Sequence, residues 1–356
     1  MADIAKRFAG NPILRPQDVK PSFDGLEVVC LLNPGAFRFQ GKTWLLLRVA
    51  ERPQQKDHII STPILDPVAA HGVSILEVCL DDPALISEEP RSFTHKGQLY
   101  LTTLSHLRLA SSEDGSTFQV EEVPTLLGQG KLEAFGIEDC RVSEIEGVFY
   151  LTYTAVSPYG VGVAMISTSS WQQFTHHGMI LPPTNKDAAL FPAKIGDSYS
   201  ILHRPSSIGL GGSFIWLSRS PDLIHWGEHT CIATTRPGWW DSARIGAGAA
   251  PIRIPEGWLE IYHGANEENR YCLGALLLDA DDPTKVLARS AQPIMEPLMD
   301  YEKTGFFGNV VFSNGMIVTD DEITLYYGAA DEVICGATLS IKEILHSLET
   351  GEASFL

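Results

Sequence analysis

Apolar positions along this chain fall in short runs separated by polar turns, and helical spacing is scarce. The runs repeat one grammar: a polar opening, a short strand, a turn with Gly or Asp, then an apolar-aromatic strand. Asn33–Phe39, Gly41 and Trp44–Arg48 form one such unit. Glu89–Phe93, Gly97 and Leu99–Thr103 form another, and Gly136–Val142 with Val148–Thr154 a third. Asp187–Pro192, Gly196 and Tyr199–His203 follow, then Gly248–Arg253, Gly257 and Trp258–Tyr262, and lastly Asn309–Phe312 with Ile323–Tyr327. The aromatic strand starts at Trp44, Tyr100, Tyr150, Tyr199 and Trp258 are roughly fifty to sixty residues apart. A period of that size, with about four short strands per unit, predicts an all-β protein, a β-propeller. Two unrelated β-sandwiches would explain the repeated grammar poorly. Only Ile341–Leu348 reads as a helix, with Ile341, Ile344, Leu345 and Leu348 on one face. No linker or low-complexity segment divides the chain, so residues 1–356 are expected to form a single propeller domain.

A propeller changes how scattered charges are read, because the opening strand of each blade lines the central channel. Polar residues far apart in sequence then share one pocket. The stretch Gly136-Ile-Glu-Asp-Cys-Arg-Val142 is the strongest case, with Glu138, Asp139 and Arg141 set before an apolar strand. On its own it fits either a pocket mouth or a surface turn with a local ion pair. Further carboxylates stand at Asp187, Glu302 and Asp331. Several carboxylates around a funnel suit glycoside chemistry, in which an acid protonates a leaving oxygen; each alone could equally be a hydrogen-bonding partner.

Composition sharpens this. The chain has 44 acidic and 26 basic residues, a net charge of −18, which as a whole repels nucleic acid and anionic membrane. Against that field, Arg48, Lys186, Arg204, Arg244 and His263 lie at pocket-facing ends of successive units. They form an anion or phosphate cradle, or they pair with the carboxylates above. The six cysteines are scattered without a metal or disulfide spacing, which fits buried thiols in a reducing cytoplasm. No apolar leader or membrane-length run is visible, and a cytoplasmic location is expected. His176-His177 are strand neighbours pointing to opposite faces, so no metal is expected. Trp239-Trp240 could stack on a sugar or anchor their own loop.

Taken together and in order, these segments resemble glycoside hydrolase family 130, the inverting β-mannoside phosphorylases and related β-mannosidases. The segments are Asn33-Pro-Gly-Ala36 with Leu47–Glu51, Gly136–Arg141, Asn185–Pro192, His203–Ser206, Arg244–Gly248, Gly257–Gly264, Tyr301–Gly305 and Tyr326–Asp331. The resemblance implies a five-bladed β-propeller. Six repeat-like openings are counted, so the unit from Glu89 to Leu104 is an extra blade or an elaboration of the first. It implies that Asp139 is the general acid, acting through the mannose 3-hydroxyl, and that phosphate attacks C1 from the opposite face to give α-mannose 1-phosphate. Arg48 and Asp331 match mannose contacts, with Glu138, Arg141, Asp187 and Glu302 as further substrate-side positions. Lys186, Arg204, Arg244 and His263 match phosphate-binding positions. Inorganic phosphate is the implied co-substrate, with no other cofactor, and a homo-oligomer is common in the family. Two departures stand out: Cys140 replaces the usual proline after the acid, freeing a backbone dihedral, and Lys186 and Arg244 exchange the usual arginine and lysine. The N-terminal run Asp18–Val29 with Leu45–Glu51 looks most like the β-1,2-mannobiose and β-1,2-oligomannan phosphorylase branch. An inverting β-mannosidase, or a β-1,4-mannoside phosphorylase, is the alternative. The hydrolase would need a carboxylate base such as Glu302 or Asp187.

Overall fold

The computed structural model describes residues 3–89, 91–206 and 210–349. Its strands build five antiparallel sheets of at least four strands each, arranged as the blades of a propeller. Blade one contains Leu26–Phe39, Lys42–Pro53, Leu104–Ser112 and Gln119–Val120. Blade two runs Ile137–Ile145, Val148–Ser157, Gly160–Thr168 and Thr175–Leu181. Blade three runs Asn185–Leu190, Tyr199–Pro205, Ile215–Ser220 and Gly227–Ala233. Blade four holds Arg244–Ala247, Gly257–Ala265, Tyr271–Leu278 and Val286–Arg289, with Ile252–Ile254 also paired to its second strand. Blade five holds Val311–Thr319, Glu322–Ala329 and Val333–Ser340, and is completed by Lys6–Arg7 from the start of the chain. The predicted helix is observed as Ile341–Glu349, with Ile341, Ile344 and Leu348 buried.

The apolar faces of the blades bury against one another, so the core is a set of wedges between neighbouring sheets. Phe37 and Trp171 stack at 3.9 Å between blades one and two, beside Phe149 and Cys140. Tyr327, Leu325, Leu259 and Ile261 fill the wedge between blades five and four.

The second repeat-like opening is not a blade. It belongs to an insertion between the second and third strands of blade one, made of the hairpin Ile59–Leu65 and Val73–Cys79 and a sheet of Leu85–Glu89, Ser92–His95 and Gln98–Leu101. Pro90 of that opening lies outside the described residues. The reason for the false repeat is local. Lys96 and Gly97 have φ of 51° and 79°, as do Gln40-Gly41 (50°, 79°) and Glu146-Gly147 (52°, 79°), which turn the chain within blades one and two. Two positive φ values in a two-residue loop favour a hairpin, whatever larger sheet it joins.

A second repeated device lies on the innermost strands. Blade one shifts register between Leu32 and Gly35, blade two between Glu138 and Arg141, blade three between Lys186 and Ala189, and blade five between Phe312 and Gly315. Each bulge inserts a residue and re-aims its side chain. Asn33, Asp139 and Asp187 occupy the same place in the first three, with φ of 32°, 51° and 53°. Asn and Asp tolerate that left-handed conformation better than other side chains, so backbone geometry and site chemistry select the same residue types.

Candidate active site

A cavity of about 900 Å³ opens at the axis. Arg48, Glu138, Asp139, Lys186, Asp187, Arg204, Arg244 and Asp331 all line it. The insertion supplies one wall through Ser61, Arg91 and Thr103, while Phe306, Phe307, Asn269 and Tyr271 face it from blades four and five.

One side of the cavity is a carboxylate group organised by a single cation. Arg48 reaches Glu138 through Nη2 at 2.7 Å and Asp139 through Nη1 at 3.0 Å, and donates from Nε to Ser105 Oγ at 3.1 Å. Asn33 Nδ2 donates to Asp139 Oδ1 at 3.1 Å. Burial opposes ionisation of Asp139, but Arg48, Arg141 and Lys186, with the Asn33 amide, outweigh it and hold the carboxyl below its ordinary value. Burial lifts Glu138 above its ordinary value, with Asp139 adding and Arg48 and Lys186 opposing. Burial also lifts Asp331, to about 6, helped by Asp139 and Glu138 against Arg48 and Arg91. The adjacent carboxylates therefore differ in their hold on a proton.

The other side is cationic. Arg244 donates from Nη1 to the Tyr271 hydroxyl and from Nη2 to Asn269 Oδ1, both at 2.9 Å. Lys186 is cross-strand from Arg204. Among the described residues neither Lys186 nor Arg244 has a carboxylate within 4.0 Å. Arg204 is different: its Nε lies 2.7 Å from Asp187 Oδ2. So the sequence alternatives divide, with Arg48 and Arg204 paired to carboxylates and Lys186 and Arg244 without a carboxylate partner among the described residues.

Asp187 forms the floor between the two sides. Its Oδ1 accepts from Arg141 Nη2 at 3.3 Å, and its Oδ2 lies 3.3 Å from His263 Nε2. Burial opposes its ionisation, yet Arg204, His263 and Arg141 hold it well below the ordinary carboxylate range. Gly246 fits here because a Cβ would collide with Asp187 and with His263 Cε1, at 2.6 Å.

Three expected site residues do not line the cavity. His263 is fully buried beneath Phe312, ring centroids 4.2 Å apart, and burial lowers it to about 4 against the opposing Asp187, which favours a neutral ring there. Arg141 is an internal strut that donates to the carbonyl oxygens of Asp139 (2.8 Å), Ala247 (3.0 Å) and Gly248 (3.0 Å). Glu302 points into the body of blade five and does not line the cavity. It accepts from Arg7 Nε (2.9 Å), the Tyr327 hydroxyl (2.8 Å) and the backbone N–H groups of Leu298 and Met299, fastening the first strand to blade five. Residues passed over by the sequence reading include Asn33, Tyr271, Asn269 and the Arg91 wall. Asn33 carries a signal in its place within the repeated opening; Tyr271 begins an ordinary strand, Asn269 lies in the turn before it, and neither carries one. Cys140 packs into the wedge between blades one and two, its Sγ 3.6 Å from the Arg141 carbonyl, and the bulge itself fixes Asp139. Blade one has Pro34 at the matching position after Asn33.

No described helix is long and apolar enough to cross a membrane. The family model described as β-1,4-mannooligosaccharide phosphorylase matches residues 93–350. A β-1,2-mannobiose phosphorylase of Listeria innocua is 44% identical over 348 residues, 96% of this chain and 98% of that one. A 1,2-β-oligomannan phosphorylase of a Thermoanaerobacter species is 40% identical over 244 residues, 68% of this chain and 80% of that one. The Listeria innocua enzyme solved with β-1,2-mannobiose superposes with a TM-score of 0.91 at 43% identity, covering 98% of this chain and all of the other.

Proposed function

This chain belongs to glycoside hydrolase family 130, and from that membership and the two-sided cavity we propose inverting phosphorolysis of β-1,2-linked manno-oligosaccharides. One observation carries the reading: Lys186 and Arg244, cations without a carboxylate partner among the described residues, share a cavity with the carboxyl of Asp139. A hydrolase needs no anion site. A phosphorylase must hold phosphate against the substrate, and charge-assisted bonds from lysine and arginine do so.

In this reading a mannose residue sits beside Arg48 and Asp331, and phosphate lies on Lys186, Arg204 and Arg244. A phosphate oxygen bonds to C1 as the C1–oxygen bond to the leaving sugar breaks on the opposite face. Asp139 gives its proton to the mannose 3-hydroxyl, whose own proton passes to the leaving oxygen. The product is α-mannose 1-phosphate, and the proton that the attacking hydrogenphosphate carried is released from the product ester, so that Asp139 is reprotonated for the next turnover. The dianion's charge beside Lys186 offsets a cation that holds Asp139 below its ordinary value, so phosphate favours the protonated acid.

The hydrolytic alternative fits the residues less well. Of the bases it could use, Asp187 is engaged by Arg141, Arg204 and His263, and Glu302 is engaged by Arg7 and Tyr327 off the cavity. The test is cleavage of β-1,2-mannobiose and β-1,4-mannobiose with and without inorganic phosphate, with products followed by NMR. Phosphate-dependent formation of α-mannose 1-phosphate from the β-1,2 substrate is expected. Mannose alone, at a rate independent of phosphate, overturns the reading; preference for the β-1,4 substrate overturns the linkage.

A further inference from the structure

Glu260 is a buried carboxyl that the chemistry above leaves without a task. It stands on the second strand of blade four with no exposed surface. Its Oε1 accepts the Gly248 N–H at 2.8 Å. The carbonyl of the same Gly248 accepts Arg141 Nε at 3.0 Å, and Arg141 Nη1 donates to the Asp139 carbonyl at 2.8 Å. A continuous chain of bonds thus runs from blade four to the backbone of the general acid. Gly248 has no room for any other side chain, since a Cβ would collide with the Ile261 carbonyl and lie 3.1 Å from the Ser313 carbonyl. Its peptide is therefore held between three blades, and Glu260 supplies the bond to its amide.

We propose that Glu260 is a positioning residue for phosphorolysis, fixing the Gly248 peptide so that Arg141 holds the Asp139 backbone in place. This rests on the phosphorolysis reading. The ionisation of Glu260 is consistent with such a role. Burial lifts it to about 8, against the opposing Gly248 N–H and Arg141. The charged group that faces it is Arg141 of blade two, with Asp187 of blade three on that guanidinium's other side. A neutral carboxyl holds Gly248 without competing with Asp187 for Arg141. An ionised one draws the guanidinium toward itself and away from the Asp139 carbonyl.

The experiment compares the wild-type enzyme, Glu260→Gln and Glu260→Ala on β-1,2-mannobiose and inorganic phosphate, with kcat and both KM values measured from pH 6 to 9. Glu260→Gln is expected to keep kcat within about threefold at pH 7, and Glu260→Ala to lose about 10- to 100-fold in kcat with each KM changed less than about threefold. Wild-type kcat should fall as pH rises through about 8, and Glu260→Gln should lack that fall. Wild-type kcat in Glu260→Ala, or a Gln variant as impaired as the Ala variant, overturns the proposal. If Glu260→Ala does not fold, the Gln variant decides: an alkaline limb identical to wild type overturns the proposal, and its loss supports it. Wild-type cleavage that ignores phosphate overturns the phosphorolysis reading instead, and the same kcat comparison then reads positioning in hydrolysis.

Discussion

Arg204 and Asp187 form an ion pair with 2.7 Å between Nε and Oδ2, in side chains 6% and 1% exposed. Removing one member of a buried pair leaves an uncompensated charge. Arg204→Ala is therefore a poor test of phosphate binding, because it also strands Asp187. Asp187→Asn is expected to lower stability by about 3–5 kcal/mol, measured by urea unfolding at pH 7. An unchanged unfolding midpoint would show that Arg141, Arg204 and His263 do not depend on its charge.

Lys186 and Arg244 give the cleaner test of the cradle. Lys186→Ala and Arg244→Ala should each raise the KM for phosphate about 10- to 100-fold, the worth of a charge-assisted bond. The KM for mannobiose should change little. Equal rises in both constants in steady-state kinetics would mean that these cations do not single out phosphate.

Asp139→Asn should lower kcat on mannobiose by about 10²- to 10⁴-fold while the protein stays folded. An aryl β-mannoside whose phenol leaves without protonation should lose far less. If both substrates suffer alike, Asp139 holds the sugar and does not deliver the proton.

Asp331 makes a pH prediction of definite sign. Its native value of about 6 lies above the ordinary 3.8, so between these the folded protein binds more protons than the unfolded chain. Stability from this group is fully present below pH 3.8 and is lost as pH rises toward 6. Asp331→Asn should consequently be more stable than wild type by about 3 kcal/mol at pH 7 and by less than about 1 kcal/mol at pH 4. Urea titrations at the two pH values check this, and a gain of equal size at both would assign it to something other than ionisation.

Cys140→Pro should fold and keep kcat within about threefold, because at the matching bulge of blade one Pro34 already follows Asn33, whose φ of 32° is likewise positive. A large loss in the initial rate would show that the two bulges are not interchangeable.

Much of this was legible in the chain, for local reasons. Strand and turn chemistry is written in short windows, so the blades and the final helix could be read from period and turns. The same locality produced the sixth opening: Lys96-Gly97 makes the turn of a blade hairpin, but pairing partners decide which sheet it enters. Residue types at the axis were legible too, because Asp139 and Asp187 recur at one point of their units and the cations lie on the first or second strands beside them. Depth was not. Nothing near His263 says that Phe312 covers it, and nothing near Glu302 says that Arg7, from the other end of the chain, claims it. Both facts depend on contacts across the ring.

The bulge that carries Asn33, Asp139 and Asp187 bears on more than this pocket. Each of these three blades holds its bulge through its own strand pairs, so the backbone offers separate sockets around one axis. A side chain of another chemistry placed in one socket would inherit the aim of the old one while the other blades keep theirs. The propeller thus keeps its architecture apart from its reagents, and its chemistry can be rewritten one blade at a time.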